Sequence, residues 1–472
     1  MKRLKVLLLK PYSQADELIP PFGLGYLATA IRDHHDVTIL DCLKEKIPPD
    51  QLGPILERGQ YDIVGIQVFT FHVPVTKEYS EVIKKILPQA RIILGGPQPS
   101  ASPQDIFSLL PKTDWAFLGE AEIGLPKLLE LVALDNLAPA GLKEIPGLIW
   151  REQDNFKVNQ QIFFADIDKF GMPAWDLIRP ETYPISPHGG FYKNYPIAPI
   201  IISRGCPFSC TYCAGRLVSG KRIRYRSAAK VIEEIKLLYH QYGIREVHIE
   251  DDNFTFNHDL VREFCRLLKA SKLDISWTCP NGVRLDTLTE DLLLTMKASG
   301  LYFISVGVES GSDRVLREMK KSLTTEKIRE KINLIKKCGL EVSGFFIIGY
   351  PTETRQDIKQ TINFACSLGL KRAAFFLFKP FPGSDITREL IKRGEWRFNN
   401  DSAEDWNKFI LADAVYAPPG FTIEEMKKLR QKALRRFYLR PWVIIDFIRD
   451  IRGPKHLWLI MKRAYAWLWR VE

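Results

Sequence analysis

Short apolar runs alternate with longer amphipathic stretches over about the first 135 residues of this chain. The runs have the length of buried strands, and they lie at positions 5–9, 37–40, 63–68, 92–94 and 115–118. Strands that alternate regularly with helices fold into a parallel sheet covered by those helices, because each connection between neighbouring parallel strands needs a crossover. The sequence therefore predicts an α/β fold that begins with a doubly wound parallel sheet.

The same alternation returns in the second half of the chain. Six further strand-like runs lie at 197–203, 246–249, 276–278, 303–308, 344–348 and 373–378. They predict a partial or full TIM-like (β/α) barrel, in which chemistry lies at the carboxyl ends of the strands. A chain of 472 residues is too long for one hydrophobic core. We divide it into an amino-terminal Rossmann-like domain (1–135), a linker with a short hairpin at 147–158 (136–195), the barrel (196–395) and a helical, basic and aromatic tail (396–472).

Three of the eight cysteines stand in a tight group after the first predicted barrel strand, in the segment Arg204-Gly-Cys206-Pro-Phe-Ser-Cys210-Thr-Tyr-Cys213. The spacing C-x3-C-x2-C lets three thiolates hold three irons of a 4Fe–4S cluster, which leaves the fourth iron free. A structural zinc site is the weaker alternative, because it needs four ligands and Cys279 follows a different strand without a partner. The chain shows no export signal, so we expect a reducing, cytoplasmic setting without disulfides.

The cysteine loop resembles the signature of the radical S-adenosylmethionine (radical SAM) superfamily. The resemblance implies that Cys206, Cys210 and Cys213 bind a 4Fe–4S cluster. It further implies that the open iron binds the methionine end of S-adenosylmethionine, and that an electron from the cluster splits this molecule into methionine and a 5′-deoxyadenosyl radical. In the family the aromatic residue before the last cysteine commonly touches adenine, and that residue here is Tyr212.

Three later strand ends match the motifs of the family in order. Glu250-Asp251-Asp252 corresponds to the motif that receives the methionine amino group, whose charge suits carboxylates; an ordinary strand-end turn is the alternative. Glu309 matches the acid that binds the ribose, since one carboxylate can accept from both hydroxyls. Gly349 belongs to a segment that matches the G-x-I-x-G-x-x-E strand, whose backbone lies against adenine and needs glycine for close approach.

The first domain resembles the cobalamin-binding domain that precedes many radical SAM enzymes. The matching pieces lie at 20–28, 66–70, 94–97 and 119–122. The resemblance implies that the corrin rests on these strand-end loops while the nucleotide tail slots beside the sheet. The residues expected to contact cobalamin are Phe22, Gly23, Thr70, Gly95, Gly96 and Glu120. A sheet that binds a nucleotide or no ligand is the alternative, but the chain lacks the G-x-x-x-x-G-K-[ST] loop of P-loop proteins.

No histidine occupies the place expected of a cobalt ligand. Many cobalamin domains carry D-x-H-x-x-G after the first strand, whereas this loop reads Lys10-Pro-Tyr-Ser-Gln-Ala15. His72 is the nearest candidate, and a solvated loop histidine is the favoured interpretation of it. We therefore expect cobalamin without a histidine lower ligand, and we place His34 and His35 at the surface.

Basic residues concentrate in two places. Arg222, Arg224 and Arg226 follow the cysteine loop, where a solvated basic loop is the favoured interpretation and contact with substrate or with the S-adenosylmethionine carboxylate is the alternative. Most of the formal net charge of +11 resides in 430–472, which holds eleven Lys or Arg and three Asp or Glu. A charge so localised argues against a nucleic-acid groove through the body of the protein.

The tail combines this charge with four of the ten tryptophans, at 442, 458, 467 and 469. It either packs on the barrel and closes the active site, which we favour, or lies at a membrane surface. In the second case the protein is peripherally membrane-associated and its substrate is hydrophobic or lipid-like. No stretch approaches the ~20 apolar residues of a membrane-spanning helix.

The resemblance covers about residues 1–395 and is closest to the cobalamin-dependent class that includes anaerobic magnesium-protoporphyrin ester cyclase-like proteins. It implies an enzyme in which the radical takes hydrogen from an unactivated carbon and cobalamin supplies a methyl group. Radical oxidation, cyclisation or rearrangement without methyl transfer is the alternative, and a non-catalytic cofactor sensor is a third. The resemblance also implies a small-molecule substrate and an electron donor such as flavodoxin or ferredoxin, with no nucleic-acid partner.

Overall fold

The computed structural model of the protein describes residues 2–13, 18–153, 155–184, 192–398, 403–409 and 413–449, together with positions 451, 453, 457, 458 and 461. Two largely parallel sheets follow one another along the chain, and helices cover each of them. This arrangement confirms the predicted α/β fold.

Within the described residues, the first sheet has seven strands in the order β2-β1-β3-β4-β5-β6-β7. They are β1 (Lys5–Lys10), β2 (Asp36–Asp41), β3 (Ile63–Gln67), β4 (Arg91–Gly95), β5 (Trp115–Phe117), β6 (Leu148–Glu152) and β7 (Asn155–Val158). Strands β1 to β5 are parallel, and their order is that of a doubly wound sheet. Such a sheet binds ligands beyond the carboxyl ends of its strands, near the point where the winding reverses. Here the reversal lies between β1 and β3.

Nine α-helices in the described part of the chain accompany these strands. They are α1 (Phe22–Ile31), α2 (Cys42–Glu45), α3 (Gly53–Gly59), α4 (Val73–Ile86), α5 (Pro97–Ala101), α6 (Ile106–Leu109), α7 (Gly124–Ala133), α8 (Pro139–Lys143) and α9 (Trp175–Ile178). Both faces of the sheet are buried, since Leu7 and Val64 belong to one core cluster while Val6 and Leu8 belong to another. Successive residues of a strand point to opposite faces, so a sheet covered on both sides needs the continuous apolar runs of this sequence.

The hairpin expected at 147–158 is present as β6 and β7, and β6 pairs antiparallel with β5. The first sheet therefore continues past residue 135 into the stretch interpreted as a linker. The rest of that stretch packs tightly against α1. A Cβ at Gly25 would lie 2.7 Å from the Pro173 Cβ and 2.6 Å from the Ile178 Cδ1, so glycine is needed for this close approach.

The second sheet is a partial barrel. The strands of this half are β8 (Ile197–Ile200), β9 (Ser203–Arg204), β10 (Arg224–Tyr225), β11 (Glu246–Ile249), β12 (Ser276–Val283), β13 (Leu301–Glu309), β14 (Glu341–Ile348) and β15 (Arg372–Leu377). Among the residues that the structure describes, six of them form a parallel sheet in the order β8-β11-β12-β13-β14-β15, with β8 and β15 at its two edges. Strands β9 and β10 form a small antiparallel ladder of their own.

Eight α-helices, counted over the described residues, accompany the barrel strands. They are α10 (Gly215–Ser219), α11 (Ala228–Gln241), α12 (His258–Ala270), α13 (Glu290–Ala298), α14 (Asp313–Glu318), α15 (Thr325–Lys337), α16 (Arg355–Ser367) and α17 (Asp385–Lys392). Six of them begin at a side-chain cap, provided by Ser227, Asn257, Thr289, Thr324, Thr354 and Ser384. Each cap stabilises its helix by ~1 kcal/mol and fixes where the loop from the preceding strand ends.

The run predicted as one strand at 197–203 is interrupted after Ile200. Asp251 accounts for the interruption, because its carboxylate accepts from the backbone amides of Ile202 and Ser203 at 2.8 and 2.6 Å. These amides are thereby withdrawn from the sheet. The chain leaves the sheet at this point and turns into the cysteine loop.

The tail contributes three helices to the described structure, α18 (Ala403–Asn407), α19 (Ile423–Tyr438) and α20 (Pro441–Arg449). Helix α18 contacts α4 of the first domain. Helix α19 packs on β15, where Phe437 is buried and the Tyr438 hydroxyl donates to the Ala373 carbonyl at 2.8 Å. None of the described helices is both long and apolar enough to cross a membrane. Trp467 and Trp469 lie outside the described residues.

Candidate active site

The cysteine loop takes its conformation from the surrounding barrel. Gly205, which opens the loop, has a φ of +103°, and a Cβ there would lie 2.3 Å from the Arg222 carbonyl oxygen. Only glycine fits such a position. Further along, the Thr211 amide donates to the Met319 carbonyl at 3.0 Å, and the Thr211 hydroxyl lies 2.8 Å from that of Tyr350. Both ends of the loop are thus held by protein contacts.

The three cysteines open onto a cavity of about 310 Å³ at the carboxyl ends of the barrel strands, which we call the cysteine cavity. Its other walls include Phe208, Tyr212, Asp252, Asn281, Arg284, Glu309, Lys321 and Phe345. The described residues hold no group of three or more His, Cys, Asp or Glu arranged to bind a single metal ion. A zinc site brings its ligands to one point, whereas the cysteines of an iron–sulfur cube each bind a different iron. The preference for an iron–sulfur cluster over zinc stays a prediction from the spacing of the cysteines.

Two thiols of the loop, those of Cys206 and Cys213, have raised pKa values. Cys213 keeps some exposure to solvent, yet desolvation of its sulfur raises its pKa to about 11, and the nearby Asp252 carboxylate adds to the rise. The Gly215 amide, which donates to this sulfur at 3.4 Å, acts in the opposite direction. Burial raises the pKa of Cys206 as well. Because a metal-bound thiol is deprotonated, ligation of iron at this loop releases protons.

The three acids that follow β11 point in different directions. Asp251 is buried, its carboxylate accepts from the Ser203 hydroxyl at 2.5 Å, and burial raises its pKa to about 7. Asp252 lines the cysteine cavity and accepts from the Ser219 hydroxyl at 2.6 Å. Glu250 lines a second cavity, in the first domain. The fold therefore brings both aspartates to the cysteine cavity, and the Asp251 carboxylate in addition holds the strand that leads into the cysteine loop.

Glu309 occupies a strained backbone position at the end of β13. Its φ is +64°, in the left-handed region that costs a residue other than glycine roughly 1–2 kcal/mol. Its carboxylate accepts from the Lys321 ammonium at 2.8 Å and lies beside the Tyr212 hydroxyl. Burial, and then this carboxylate, raise the pKa of Tyr212 well above its usual value, so the phenol keeps its proton. Glu309 and Tyr212, both predicted site residues, thus meet in the cysteine cavity.

Gly349 lies at the end of β14, where its φ is +86° and its amide donates to the Glu353 carboxylate at 2.6 Å. A Cβ here would lie 2.9 Å from the Met426 sulfur of α19. Phe345, earlier in the same strand, lines the cysteine cavity. The fold places Gly349 against the tail helix, and its contact with adenine stays a prediction.

Glu353 is expected to make the folded protein less stable as the pH rises. Burial raises the pKa of its carboxyl to about 8, whereas an exposed glutamate titrates near 4.5. Between these values the folded protein holds a proton that the unfolded chain lacks, so the free energy of unfolding falls as the pH rises from about 4.5 to about 8. We expect Glu353→Gln to flatten this dependence, measured as the urea midpoint across that range under anaerobic conditions.

Glu290, which pairs with Lys337 on an exposed surface, provides the matched control. Glu290→Gln should leave the slope of stability against pH as it is in the wild type. If Glu353→Gln has the same slope as the wild type, the buried carboxyl does not titrate as we expect.

A second cavity, of about 260 Å³, opens at the carboxyl edge of the first sheet, and we call it the first-domain cavity. Its deep walls come from the sheet, at Val6, Leu8, Ile63 and Ile93, and from α1 and α7. Five of the predicted strand-end contacts also line it, namely Phe22, Gly23, Gly95, Gly96 and Glu120. Thr70, the sixth, is buried outside this lining in the turn after β3.

Two histidines that were expected at the surface are buried. His72 is fully enclosed, and its Nδ1 accepts from the Phe69 amide at 3.3 Å, so it is not a solvated loop histidine. His35 is enclosed as well, and its Nδ1 accepts from the Leu4 amide at 3.3 Å. His34 is exposed as expected. The residues that line the first-domain cavity in the described structure do not include His72.

A buried network of ion pairs joins the two domains. Glu120, in the loop after β5, accepts from both terminal nitrogens of Arg224 at 2.7 Å each. Arg204 donates to Glu122 at 2.6 Å. Arg204 and Arg224 are direct partners across the β9–β10 ladder, where two like charges would repel without the glutamates. We call these four side chains the interdomain network.

Aromatic rings shield the interdomain network from water. The Arg204 guanidinium lies 4.8 Å from the Tyr26 ring centre and 5.2 Å from that of Phe170. The Arg224 guanidinium lies 5.2 Å from the centre of Phe163. Phe163 and Phe170 belong to the stretch interpreted as a linker, which therefore forms one wall of the domain interface.

The prediction of a solvated basic loop is wrong for two of its three arginines. Arg224 is buried with Glu120, and Arg226 is buried with Glu234 at 2.5 Å. Arg222 alone of the three is exposed. A buried charge needs a paired and hydrogen-bonded partner, and the partner of Arg224 comes from the other domain.

Asp252 lines both the cysteine cavity and the first-domain cavity. Ser219, which donates to Asp252, also lines the first-domain cavity. The carboxyl edges of the two sheets therefore face a common cleft, with Asp252 at the junction.

Comparison with known proteins identifies the family. The profile of the Radical SAM superfamily matches residues 200–365, and that of the B12 binding domain matches residues 13–129. An uncharacterized methyltransferase from Pyrococcus horikoshii is 33% identical to this chain over 100% of the chain and 99% of the relative. The chain belongs to the radical SAM superfamily. This finding confirms the resemblance that rested on the cysteine loop.

Other similar proteins share most of the chain. A cytidylyl-2-hydroxyethylphosphonate methyltransferase from Streptomyces wedmorensis is 28% identical over 92% of this chain and 90% of its own. The solved structure of the radical S-adenosylmethionine methyltransferase TsrM from Kitasatospora setae, with cobalamin and a [4Fe-4S] cluster bound, has a TM-score of 0.68 at 19% identity. It covers 83% of this chain and is itself covered to 78%, which supports the same two-sheet fold.

The cofactors of this radical SAM protein are a 4Fe–4S cluster, S-adenosylmethionine and, through its B12 binding domain, cobalamin. The cysteine cavity fits the cluster, because three thiols open onto it from one loop. The first-domain cavity fits cobalamin, because a Cβ at Gly23 or Gly95 would meet no atom within 4 Å and the opening stays free of side chains.

Filling the opening of the first-domain cavity is expected to block cobalamin without unfolding the radical SAM protein. Gly95 has an ordinary backbone conformation, so a leucine there fits the chain but projects into open space. Overpacking costs about 1–3 kcal/mol, which corresponds to roughly tenfold weaker binding or more. We expect Gly95→Leu to lose most of its cobalamin on gel filtration, measured by corrin absorbance, while its iron content stays unchanged.

Gly95→Ala is the graded control at the same position. It adds only the Cβ, which meets nothing, and should retain most of the cofactor. Full retention of cobalamin by Gly95→Leu would show that the corrin does not rest on this loop.

Sequence reasoning missed Arg204, Glu122 and Lys321 as functional positions. Arg204 directly precedes the glycine that opens the cysteine loop, and Glu122 is the last residue of one of the cobalamin-domain motifs. Their positions next to these motifs could have indicated that they lie near the site. Lys321 reaches Glu309 across 12 residues of chain, and no local pattern indicates that contact.

Proposed function

We propose that this protein is a cobalamin-dependent radical SAM methyltransferase that adds a methyl group to an unactivated carbon of a small molecule. The common cleft carries the proposal, because the cysteine cavity and the first-domain cavity meet at Asp252. The cysteine cavity, of about 310 Å³, is in the size range of small-molecule sites. The relatives from Pyrococcus horikoshii and Streptomyces wedmorensis, which align over most of the chain, are both named methyltransferases.

The residues of the cysteine cavity have distinct roles in this proposal. Glu309 accepts from the ribose hydroxyls and Tyr212 contacts adenine, while Lys321 holds the Glu309 carboxylate in place. Asp252 receives the methionine amino group, because the Asp251 carboxylate is already bonded to the strand before the loop. The cluster, when bound, supplies one electron to S-adenosylmethionine, and cobalamin, when bound, supplies the methyl group. Each cleavage consumes an electron, so the proposal includes a donor such as flavodoxin or ferredoxin.

The test uses S-adenosylmethionine with a trideuterated methyl group as the probe and needs no knowledge of the substrate. Anaerobically reconstituted protein is loaded with cobalamin and reduced. We expect 5′-deoxyadenosine to form and the labelled methyl group to be recovered in the cobalamin fraction by mass spectrometry. Protein without added cobalamin is the control for the second product.

Each other outcome favours a different function. If 5′-deoxyadenosine forms and no label reaches cobalamin, the protein carries out radical oxidation, cyclisation or rearrangement, and the methyltransferase proposal is wrong. If an intact cluster yields no 5′-deoxyadenosine, the protein is a cofactor-binding sensor.

A further inference from the structure

We infer that the outward face of α20 binds an anionic membrane surface. Helix α20 is attached to the protein by one side, since Val443 is 0% exposed. Four further large apolar residues of the helix face outward, with Trp442 38% exposed, Ile444 42%, Ile445 49% and Ile448 61%. At 3.6 residues per turn these four positions fall within a sector of about 160°. One broad face of α20 is therefore apolar and open to solvent.

The start of α20 is fixed to the barrel, which keeps that face turned outward. The Arg440 guanidinium lies 4.1 Å from the centre of the Phe437 ring and 4.5 Å from that of Trp442, and it donates to the Cys366 carbonyl of α16. Phe437 is itself part of the barrel core. The interpretation that the tail packs on the barrel thus applies to α19 and to Val443, and the outer face of α20 calls for another partner.

Charge decides which partner fits. Residues 430–472 hold eleven Lys or Arg against three Asp or Glu, and Arg449, which lies 3.8 Å from Asp446, keeps most of its side chain exposed beside the apolar face. The described residues beyond α20 also include exposed apolar side chains, those of Leu457, Trp458 and Met461. Apolar and tryptophan side chains surrounded by cations are the composition of helices that lie in a membrane interface. Each cation near an anionic membrane strengthens such binding.

A second copy of the chain suits this face less well than a lipid surface. The chain carries a formal net charge of +11, so a second molecule would bring like charge towards an already basic segment. An anionic bilayer offers the opposite charge and an apolar layer beneath it. The inference concerns where the protein is located, and it stands whether or not the methyltransferase proposal holds.

The test sediments the full chain, with its cofactors bound, together with phosphatidylcholine vesicles that contain or lack phosphatidylglycerol. We expect binding to the anionic vesicles, little binding to the neutral ones, and weakening by salt. The Ile445→Asp/Ile448→Asp variant should bind at least about tenfold more weakly, because two apolar side chains no longer enter the interface. Leu294→Asp, on α13, is the matched control, since Leu294 is 49% exposed on the barrel, and it should bind like the wild type.

Cluster absorbance shows whether each variant is folded, and Ile448→Asp alone serves if the double variant folds poorly. Equal vesicle binding by the double variant and the wild type would overturn the inference, as would equal binding to neutral and anionic vesicles. The inference also fails if the wild type ignores vesicles but forms a dimer that the double variant loses in sedimentation velocity. That result would assign the face to a second copy.

Discussion

The Cys210→Ala variant is expected to lose its iron–sulfur cluster, and with it all formation of 5′-deoxyadenosine, while remaining folded. Three thiolates from one loop hold three irons, so removal of one leaves an iron without a protein ligand. The loop itself keeps its conformation, because the Cys206 and Thr211 amides donate to the Gly220 and Met319 carbonyls, and these contacts do not involve the Cys210 thiol. Iron and sulfide analysis of the anaerobically reconstituted variant measures the loss, and circular dichroism checks the fold.

Cys279→Ala is the control that separates this site from a four-cysteine site. Cys279 is buried in β12 and is the residue that a zinc interpretation would recruit as a fourth ligand. We expect this variant to retain its iron and to form 5′-deoxyadenosine as the wild type does. Loss of the cluster on replacement of Cys279, or retention of activity without Cys210, would contradict the three-cysteine assignment.

Replacing Arg224 with methionine is expected to destabilise the protein by up to about 3–5 kcal/mol, the cost of breaking a buried ion pair. The Glu120 carboxylate would lose both of its 2.7 Å contacts and keep only the longer one to the Arg204 guanidinium, at 3.5 Å. We expect a lower urea midpoint and faster proteolytic cleavage between the two domains, because the network that joins them is broken. Cobalamin retention should fall as well, since Glu120 lines the first-domain cavity.

A double replacement makes this prediction sharper. If the defect comes from an unpaired charge, Arg224→Met/Glu120→Met should recover much of the lost stability, because apolar residues of similar size often replace a buried ion pair at little cost. Arg262→Met, which breaks an exposed pair with Asp291, should barely change the midpoint. A double variant that is as unstable as the sum of its two single variants would show that Arg224 and Glu120 act independently.

Much of the fold could be predicted because the relevant forces act locally along the chain. Apolar runs of strand length that alternate with amphipathic stretches predict parallel sheets, and this pattern is visible in each segment of the sequence by itself. The cysteine loop could be predicted for the same reason, since Cys206, Cys210 and Cys213 lie close together in the sequence and their spacing indicates the cluster. Glu309 and Tyr212 could be placed in the same cavity because chemistry in barrels gathers at the carboxyl ends of the strands.

The direction of individual side chains could not be predicted in the same way. Asp251 and Asp252 are neighbours in sequence and both line the cysteine cavity, yet the Asp251 carboxylate bonds to the strand before the cysteine loop and that of Asp252 bonds to Ser219. Arg224 looked like a solvated residue because its partner, Glu120, lies 104 positions away in another domain. Burial of a charge depends on such distant partners, and one sequence read alone does not display them. For a related reason the sequence did not predict that the hairpin β6–β7 belongs to the first sheet. The pairing of β6 with β5 is a tertiary contact that no local pattern specifies.

The interdomain network also bears on how enzymes of this architecture can be recombined. A hybrid that joined this barrel to the first domain of a relative would inherit Arg204 and Arg224 without any assurance of acids opposite them. If an apolar loop faced these two enclosed guanidinium groups, both charges would be unpaired and the folded hybrid would lose stability. A mismatch at the cofactor loops would cost less stability, because a side chain added at Gly23 or Gly95 meets no other atom. A domain exchange in this protein should therefore transfer three segments together: the loop after β5, the stretch that carries Phe163 and Phe170, and the β9–β10 ladder.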